Sequence, residues 1–577
     1  MKYSFHFAPF PLLFGTILSC FITLFSGLIY GQPVLLDKVV TFESFDDLSI
    51  TYSAIDACGN TYCTGTFRNT MDLDPGPDTD MASASGAYDL FLIKLAPNGD
   101  YLWGFTTGGS QNDHPVGLAI DVQPGNGCGN PVLIGNFAYS INVDPINGAH
   151  QLTGANGGYQ NAFALKLDEL GNHIWSRSWG GSDELLASRL HMDASGSLYI
   201  TGKLKQTADL DPGPGTDIRT ATNSHYGYLL KLDATGNHVW SKTIDDLGFT
   251  EFNSVLPDAS GNLYIAGKFF GTITPNSSSP QTQISSNGDS DAIIKKIDAN
   301  GNLIWTKTLG GTASDGVMSI TVNQQQEVIV AGFFRETVDF DPGQSIQNRS
   351  SKGGIDMFIL GLNANGDYKW VYTEGGSGND YPTSLLLDPS GNIYAMGIYA
   401  NTVTFGSNNT LSDNGIGHNV YLLNLDLWGN FKWVRNVASL DPVVASGLVW
   451  NNNQLIFQGN TKSSLSLEFD NGTTSLNATS SCNGFIAWVN VFPITLVNES
   501  NALSRFSVYP NPTQDQLFFN AAGNTLSFVT LFDMQGRSIM QAAPGERELN
   551  LRQLAAGVYF LHLATPEGVA IQKVVKE

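Results

Sequence analysis

Three times the chain writes Asp-x-Asp-Pro-Gly: Asp72 and Asp74 before Pro75-Gly76, Asp209 and Asp211 before Pro212-Gly213, Asp339 and Asp341 before Pro342-Gly343. Two carboxylates one residue apart in a loop offer hard oxygen ligands of the kind calcium takes. The further acidic or amide ligands that a calcium loop draws from its next several residues are missing, and Asp before Pro-Gly is also good turn chemistry. Calcium and a structural turn therefore both stay open, and no cofactor is required. A reduced form stands at 143-VDP-145, and the motif is absent at 274-TPNSSS-279, 404-TFGSNN-409 and 469-FDNGTT-474. It is not a ligand set shared by every copy of its surroundings.

Other chemistry-bearing residues are scattered. Gly108-Gly109, Gly180-Gly181, Gly310-Gly311 and Gly375-Gly376 are each followed by an acid, Asp113, Asp183, Asp315 and Asp380. These acids read either as carboxylates around one mouth of a channel or as caps on glycine turns. No helix pattern follows the glycines, so they do not cradle phosphate. Histidines such as His114, His191 and His238 fall at unrelated positions, and no Ser-His-Asp arrangement can be argued. Acids are plentiful, which leaves a hydrolase with paired carboxylates open. Cys58, Cys63, Cys128 and Cys482 do not have zinc spacing. A bridge from Cys58 to Cys63 or to Cys128 and half-buried free thiols are equally compatible with their positions.

What must position these residues is a repeat. Tryptophans at 103, 175, 240, 305, 370 and 433 are spaced by 72, 65, 65, 65 and 63 residues. The residue opening a D-x-x-G-N-type turn, Asp56, Asp121, Asp193, Asp258, Asn323, Asp388 and Asn451, keeps the same phase, and both markers put the one long insertion in the second unit, near 124-PGNGCGNP-131. Self-similarity at a fixed period outranks local signals. Each unit contains four short runs of β-branched, aromatic and Leu residues, as in 384-SLLLD-388, 198-LYITG-202, 89-DLFLIKLA-96 and 239-VWSKT-243. Gly-Asn and Asp-x-x-Gly pairs between them suit tight hairpins.

The predicted fold is all-β: a seven-bladed β-propeller of four-stranded blades over residues 32–491. The last unit has no Trp strand, and 38-KVVTF-42 stands before the first complete unit, so Val39 to Phe42 are expected to close the ring on the third strand of the seventh blade. Six or eight blades are the fallback. Residues 1–31 read as a signal peptide, with Lys2 followed by an apolar run and small residues near its end. A membrane anchor or a lipoprotein reading through 17-ILSC-20 are its rivals. No membrane span is expected once that segment is removed. A net charge of −23 disfavours nucleic acid and anionic membranes as partners.

The stretch 233-DATGNHVW-240 resembles the tryptophan-docking repeat of quinoprotein propellers, where the repeat is a packing device, so the resemblance speaks to blade architecture more than to a quinone. It resembles the Asp-box of sialidases only vaguely, without the preceding Ser or Thr. The units 254-SVLPDASGNLYIAG-267 and 384-SLLLDPSGNIYAMG-397 resemble SBBP-type β-propeller repeats, which implies architecture and nothing about ligand.

After a polar linker at 492–505, residues 506–577 read as short alternating strands of a small β-sandwich, Ig-like in kind. Tyr509-Pro510-Asn511-Pro512, the turn Asp533-x-x-Gly536-Arg537, Gly557-x-Tyr559 and Lys573 resemble the type A C-terminal sorting domain of the type IX secretion system of Bacteroidetes. That resemblance implies export, recognition by the outer-membrane translocon and its sorting transpeptidase, and a protein secreted or attached to the outer cell surface. The sequence thus points to an exported binding or adhesion module with a glycan or protein ligand. An extracellular carbohydrate-active hydrolase or lyase and a structural spacer are the alternatives.

Overall fold

The computed structural model describes residues 34–577 apart from 45, 145–149, 156–157, 222–225, 245–248, 275–282, 414–417, 440–442, 463, 471, 477–481, 492–505, 522–527, 533–537, 543–545 and 566–567. The signal peptide and linker readings lie outside the described residues. The chain divides into two compact units, Val34–Val491 and the stretch from Phe492 onward. The described residues are all-β and antiparallel, with no helix.

In the larger unit, four-stranded meanders follow one another in chain order, the first being Leu48–Ile55, Thr61–Phe67, Asp89–Leu95 and Tyr101–Thr107. Their first strands are Leu48–Ile55, His114–Asp121, Leu185–Met192, Phe249–Pro257, Gly316–Val322, Tyr381–Leu387 and Val444–Asn451. Each of these touches the first strand of the sheet before and after it, and the last touches the first, so the arrangement is a propeller-like closed ring. The N-terminal strand Val34–Ser44 lies antiparallel on Cys482–Val491, with Val39 opposite Ala487 and Phe42 opposite Gly484. The first strand to be made is thereby hydrogen-bonded to the last strand of the ring.

Tryptophan explains the period. The Trp103 indole donates to the Glu169 carbonyl of the next sheet at 3.1 Å, Trp305 to Ala364 at 3.2 Å and Trp370 to Leu427 at 3.1 Å. A glycine in the same turn of the next sheet lies against the ring, as Gly171 does on Trp103 and Gly236 on Trp175. Trp103, Trp175, Trp240 and Trp305 stand directly across the strand pair from Lys94, Lys166, Lys231 and Lys296. At the closure the pair is exchanged: Lys38 on the N-terminal strand faces Trp488, and the Lys38 ammonium donates to the Pro97 carbonyl as the indoles do elsewhere.

The turns obey one rule. The Asp168 carboxylate accepts the N–H of Leu170 at 2.9 Å and of Asn172 at 2.8 Å, while the Asn172 amide donates to its other oxygen at 2.9 Å. Asp258 with Asn262 and Asp298 with Asn302 repeat it. Every first strand also carries one bulge at the same level, for example between Val317 and Ser319, which bends it. Next to the bulge, Ser254, Ser319 and Ser384 accept the N–H of Ile320, Leu385 and Leu448 in the following sheet at 3.3, 3.2 and 3.1 Å. Ser446 continues the series by donating to the Ile50 carbonyl at 3.1 Å.

The acids after Gly-Gly sit in the seams between sheets, not around a mouth. Asp113, Asp315 and Asp380 are buried, and each accepts the N–H of the second glycine, Gly109 at 2.6 Å, Gly311 at 2.7 Å and Gly376 at 2.8 Å. The first glycine makes room for another buried acid: a Cβ on Gly108, Gly310 or Gly375 would fall 2.1 to 2.2 Å from the carboxyl carbon of Asp89, Asp291 or Asp356. Two carboxyls thus meet in one seam. Asp183 is buried as well, and it accepts from the Gln206 amide at 2.9 Å and lies 3.2 Å from the Lys205 ammonium. Burial pushes the Asp113 carboxyl up to about 7 against the pull of the Gly109 N–H, and Asp89 pushes it the same way as burial. Burial likewise raises Asp315 and Asp380 to about 6.

Two outcomes follow from these contacts. Gly236 has φ +79, and an added Cβ would lie 2.9 Å from the Trp175 ring, whereas Gly125 has φ +98 and nothing within 4 Å. Gly125→Ala should cost only the left-handed strain, about 1 kcal/mol, and Gly236→Ala roughly 1–3 kcal/mol more for overpacking, read from thermal unfolding of the two variants. For Asp113, the folded carboxyl binds a proton that the unfolded chain has already released, so its contribution to stability is complete below the ordinary carboxylate pKa and is lost as pH rises through about 7. Asp113→Asn should raise the melting temperature little at pH 4 and clearly more at pH 8. The comparison must be between variants, because burial lowers the pKa of His114 and His191, which gives the whole protein an opposing trend on acidification. Equal shifts at both pH values would contradict the protonated seam.

Candidate functional site

Between the second and third strands of the sheets the chain makes a short outer hairpin, and the Asp-x-Asp-Pro-Gly motifs close three of these. Thr70–Asp72 pairs with Met81–Ser83, Thr207–Asp209 with Ile218–Thr220, and Thr337–Asp339 with Asn348–Ser350. Asp72 accepts the N–H of Asp74 at 3.1 Å and of Asp80 at 2.8 Å with one oxygen, and Asp74 accepts that of Gly76 at 2.7 Å. Asp209 with Asp211, and Asp339 with Asp341, repeat these contacts within 0.1 Å. Asn142 occupies the same place in the second sheet and accepts the N–H of Asp144 at 3.2 Å and of His150 at 3.1 Å. A neutral amide thus closes the same turn, so the turn uses an acceptor oxygen and not a charge. The three acid pairs lie on three different sheets. Among the described residues no group of three or more His, Cys, Asp or Glu is gathered for a metal ion.

The hairpins are also clasps. Three of them add to the edge of the preceding sheet: Thr207–Asp209 to the outer strand His173–Gly181, Leu465–Phe469 to Phe431–Ser439, and Thr70–Asp72 to the N-terminal strand. Beside the Asp209 and Asp211 loop a cavity of about 220 Å³ opens, lined also by Asn161, Ser178 and Trp179. Carboxylate, amide and hydroxyl groups there can accept hydrogen bonds from hydroxyl or ammonium donors.

The stretch 233–240 does packing work. Asp233 accepts the N–H of Thr235 and Asn237, both at 2.9 Å, which holds Gly236 against Trp175. The histidines remain apart: His114 and His191 are on first strands, and His238, on an outer strand, lies 3.0 Å from Asp217. Burial lowers His191 to about 4, so it is a neutral imidazole.

The insertion in the second unit has a structural product that sequence reasoning left open. Cys128, at its end, is disulfide-bonded to Cys58 in the turn of the first sheet, while Cys63 is a buried free thiol. The Cys128 carbonyl accepts the Ala57 N–H at 2.8 Å beside the bridge. The extra residues span from one sheet to its neighbour, and of the two bridges that the positions of Cys58, Cys63 and Cys128 left open, the one between sheets is formed.

The C-terminal unit has two antiparallel sheets over a shared core. One contains Phe506–Tyr509, Gln516–Ala521 and Glu548–Asn550; the other contains Phe528–Phe532, Ser538–Gln541, Gly557–Thr565 and Gly568–Lys576. Leu517, Phe519, Leu531, Leu561 and Val574 fill the space between them. The Asn511 side chain donates to the Lys573 carbonyl at 2.6 Å and accepts the Val575 N–H at 2.9 Å, fastening the Tyr509 to Pro512 segment to the final strand. Tyr509 itself stacks on Phe518, and the Tyr559 hydroxyl donates to the Ala555 carbonyl at 2.9 Å. Pro510, Pro512, Asp515, Arg552 and Glu577 line a cleft of about 680 Å³. Gly557 starts its strand and Lys573 lies on the last one. Asp533, Gly536 and Arg537 lie outside the described residues.

Over 235 residues the chain is 25% identical to an uncharacterized WD repeat-containing protein of Acanthamoeba polyphaga mimivirus, covering 36% of this chain and 17% of that protein. Over 248 residues it is 26% identical to the regulatory protein FlaEY of Caulobacter vibrioides, covering 41% of this chain and 25% of that protein. The chain thus spans a quarter or less of these relatives' length. Solved structures similar to it include Sqt1 of Chaetomium thermophilum, with a TM-score of 0.37 at 12% identity over 94% of this chain and 100% of that one. PorZ, a surface component of the type IX secretion system of Porphyromonas gingivalis, gives a TM-score of 0.22 at 11% identity over 92% of this chain and 87% of that one. Residues 507–577 match the family described as the secretion system C-terminal sorting domain. The chain therefore carries a type IX sorting domain at its C-terminus and is a secreted or outer-surface-attached protein.

Proposed function

We propose that the chain is a binding or adhesion module delivered to the cell exterior by the type IX secretion system. In this reading residues 1–31 are the export signal, 32–491 a seven-bladed propeller built of SBBP-type repeats, 492–505 a linker and 506–577 an Ig-like sorting sandwich of type A. The observation that carries the proposal is the sorting-domain match at 507–577. Tyr509, Pro510, Asn511, Pro512, Gly557, Tyr559 and Lys573, with Asp533, Gly536 and Arg537, are the residues the translocon and its transpeptidase would read. The Asn511 contacts with the final strand support that assignment, since they make the segment and the C-terminus one surface. The ring supports the binding role by holding its outer hairpins on a rigid, clasped frame. Glycans and proteins are the ligand classes a surface of this kind would meet. Calcium at Asp72, Asp74, Asp209, Asp211, Asp339 and Asp341 would add to the hairpins without being required for their closure.

Two measurements test this. Expressed in a Bacteroidetes host with an intact type IX system, the full chain should reach the surface or medium, and a chain ending at residue 505 should stay in the periplasm. Equal surface delivery of both would refute the sorting role. A glycan array probed with the full chain, with calcium and with chelator, tests the ligand, binding to no glycan in either condition leaving only proteins as its class, and thermal unfolding in the same two conditions tests the loops: the turn reading expects a melting temperature unchanged by chelation and a stability loss of about 1 kcal/mol in Asp209→Ala under both conditions. A calcium-dependent rise in melting temperature that Asp209→Asn abolishes would make those loops metal sites instead.

A further inference from the structure

One sector of the ring departs from the repeat at its innermost strands. Beside the bulge, four successive sheets have serine, Ser254, Ser319, Ser384 and Ser446, each bonded to the backbone of the next sheet. The equivalent positions in the other three are Tyr52, Gly117 and Arg189, set by their pairing with the second strand: Tyr52 opposite Thr64, Gly117 opposite Ile134, and Arg189 opposite Thr201. A tyrosine, a missing side chain and an arginine thus replace the serine ladder in adjacent sheets.

The arginine reaches across the gap. Arg189 Nη1 donates to the Tyr52 hydroxyl at 3.4 Å and to the Ser188 carbonyl at 2.7 Å. The sheet of Gly117 stands between those of Tyr52 and Arg189, and Leu190 fills the space a Gly117 side chain would take, its Cβ lying 2.5 Å from where that Cβ would be. Two side chains from innermost strands that meet past an intervening sheet do so on the side facing the ring axis.

Charge makes this contact informative. On the seven first strands the other charged side chains are paired: Asp121 with Lys166, and Glu251 with Lys268 at 3.3 Å. Arg189 is half-buried and has no carboxylate within ion-pair distance among the described residues, in a chain of net charge −23. A guanidinium withdrawn from water without an anion carries a desolvation cost, and its planar fork fits a carboxylate with two parallel N–H donors. Nη2 and Nε donate no hydrogen bond among the described residues, so that fork is available. His191, half-buried and two residues along on the same side of the strand, adds a neutral ring nitrogen. One cation and two neutral donors match a monoanion better than a phosphate dianion.

We infer that Arg189, with the Tyr52 hydroxyl and the His191 imidazole beside it, forms an axial site for the carboxylate group of a small organic acid. The site is independent of how the protein is exported and of the outer hairpins.

The test uses the full chain and succinate, with chloride and phosphate at equal ionic strength as controls. Succinate should raise the melting temperature above chloride and should protect Arg189 from phenylglyoxal, read peptide by peptide by mass spectrometry. Arg189→Met should weaken succinate binding at least tenfold by calorimetry, Tyr52→Phe several-fold, and Arg68→Met, which removes an exposed arginine paired with Asp46, should not change it. The labelling experiment needs no variant, so it decides the matter even if Arg189→Met fails to fold. Unprotected Arg189, or succinate binding unchanged in both Tyr52→Phe and Arg189→Met, would overturn the site; stronger protection by phosphate than by succinate would overturn its assignment to carboxylates.

Discussion

The contact on which the ring depends is the seat of one sheet's outer tryptophan on the glycine turn of the next. It couples two things that a repeat must deliver together. The indole covers apolar area, and at Trp103, Trp305 and Trp370 it also spends its single N–H on a carbonyl of the neighbouring sheet. The turn must present a residue without a Cβ at a positive φ, which the Asp and Asn side chains hold in place through their bonds to the turn's own N–H groups. Sheet order then follows from chain order, because each unit can dock only on what precedes or follows it.

The ends of such an array are its weak point, since the last tryptophan has no next turn and the first turn no preceding tryptophan. The N-terminal strand serves the first turn by exchanging the members of the cross-strand pair, Lys38 opposite Trp488 in place of Lys94 opposite Trp103, while the buried Trp433 indole N–H has no acceptor among the described residues. The Lys38 ammonium then bonds the Pro97 carbonyl and sits 4.7 Å from the Trp488 ring centre. A cation over an aromatic face is favourable in its own right. The closure is therefore chemically a mirror of the other seams and not a gap in them.

How much of this was legible depended on whether the signal was periodic. Tryptophan spacing, the D-x-x-G-N turns and the placement of 38-KVVTF-42 were visible because the same residue returns at the same phase. The Asn511 clamp was legible as a motif, though its partner, the backbone around Lys573 to Val575, was not, because a side chain bonding a remote main chain leaves no pattern there. The seam acids were legible as caps on their glycine turns, one of the two readings of Gly-Gly followed by Asp, and Asp113, Asp315 and Asp380 do accept the N–H of the second glycine. Sequence shows that Asp follows Gly-Gly, whereas the room for a second carboxyl comes from the missing Cβ of Gly108, Gly310 and Gly375, which only the neighbouring strand reveals. The Cys58 to Cys128 bridge was one of two open pairings, and spatial neighbourhood between sheets decided it.

Features that break the period carry the individuality of this chain. A residue that repeats in every sheet is constrained by docking and says little about a ligand, as the outer hairpins illustrate: Asp72, Asn142, Asp209 and Asp339 perform one turn-closing task with either a carboxylate or an amide. The second unit's insertion ends as an inter-sheet bridge, so that departure strengthens the frame. The Tyr52, Gly117 and Arg189 sector does the opposite, giving up three serine positions of the inner ladder and leaving a cation without a counter-charge among the described residues. Asn136 still ties the second sheet to the third through the Ala187 N–H and carbonyl, so these three positions are released from docking, which is why the axis rather than the hairpins is the more informative place to look for this protein's own chemistry.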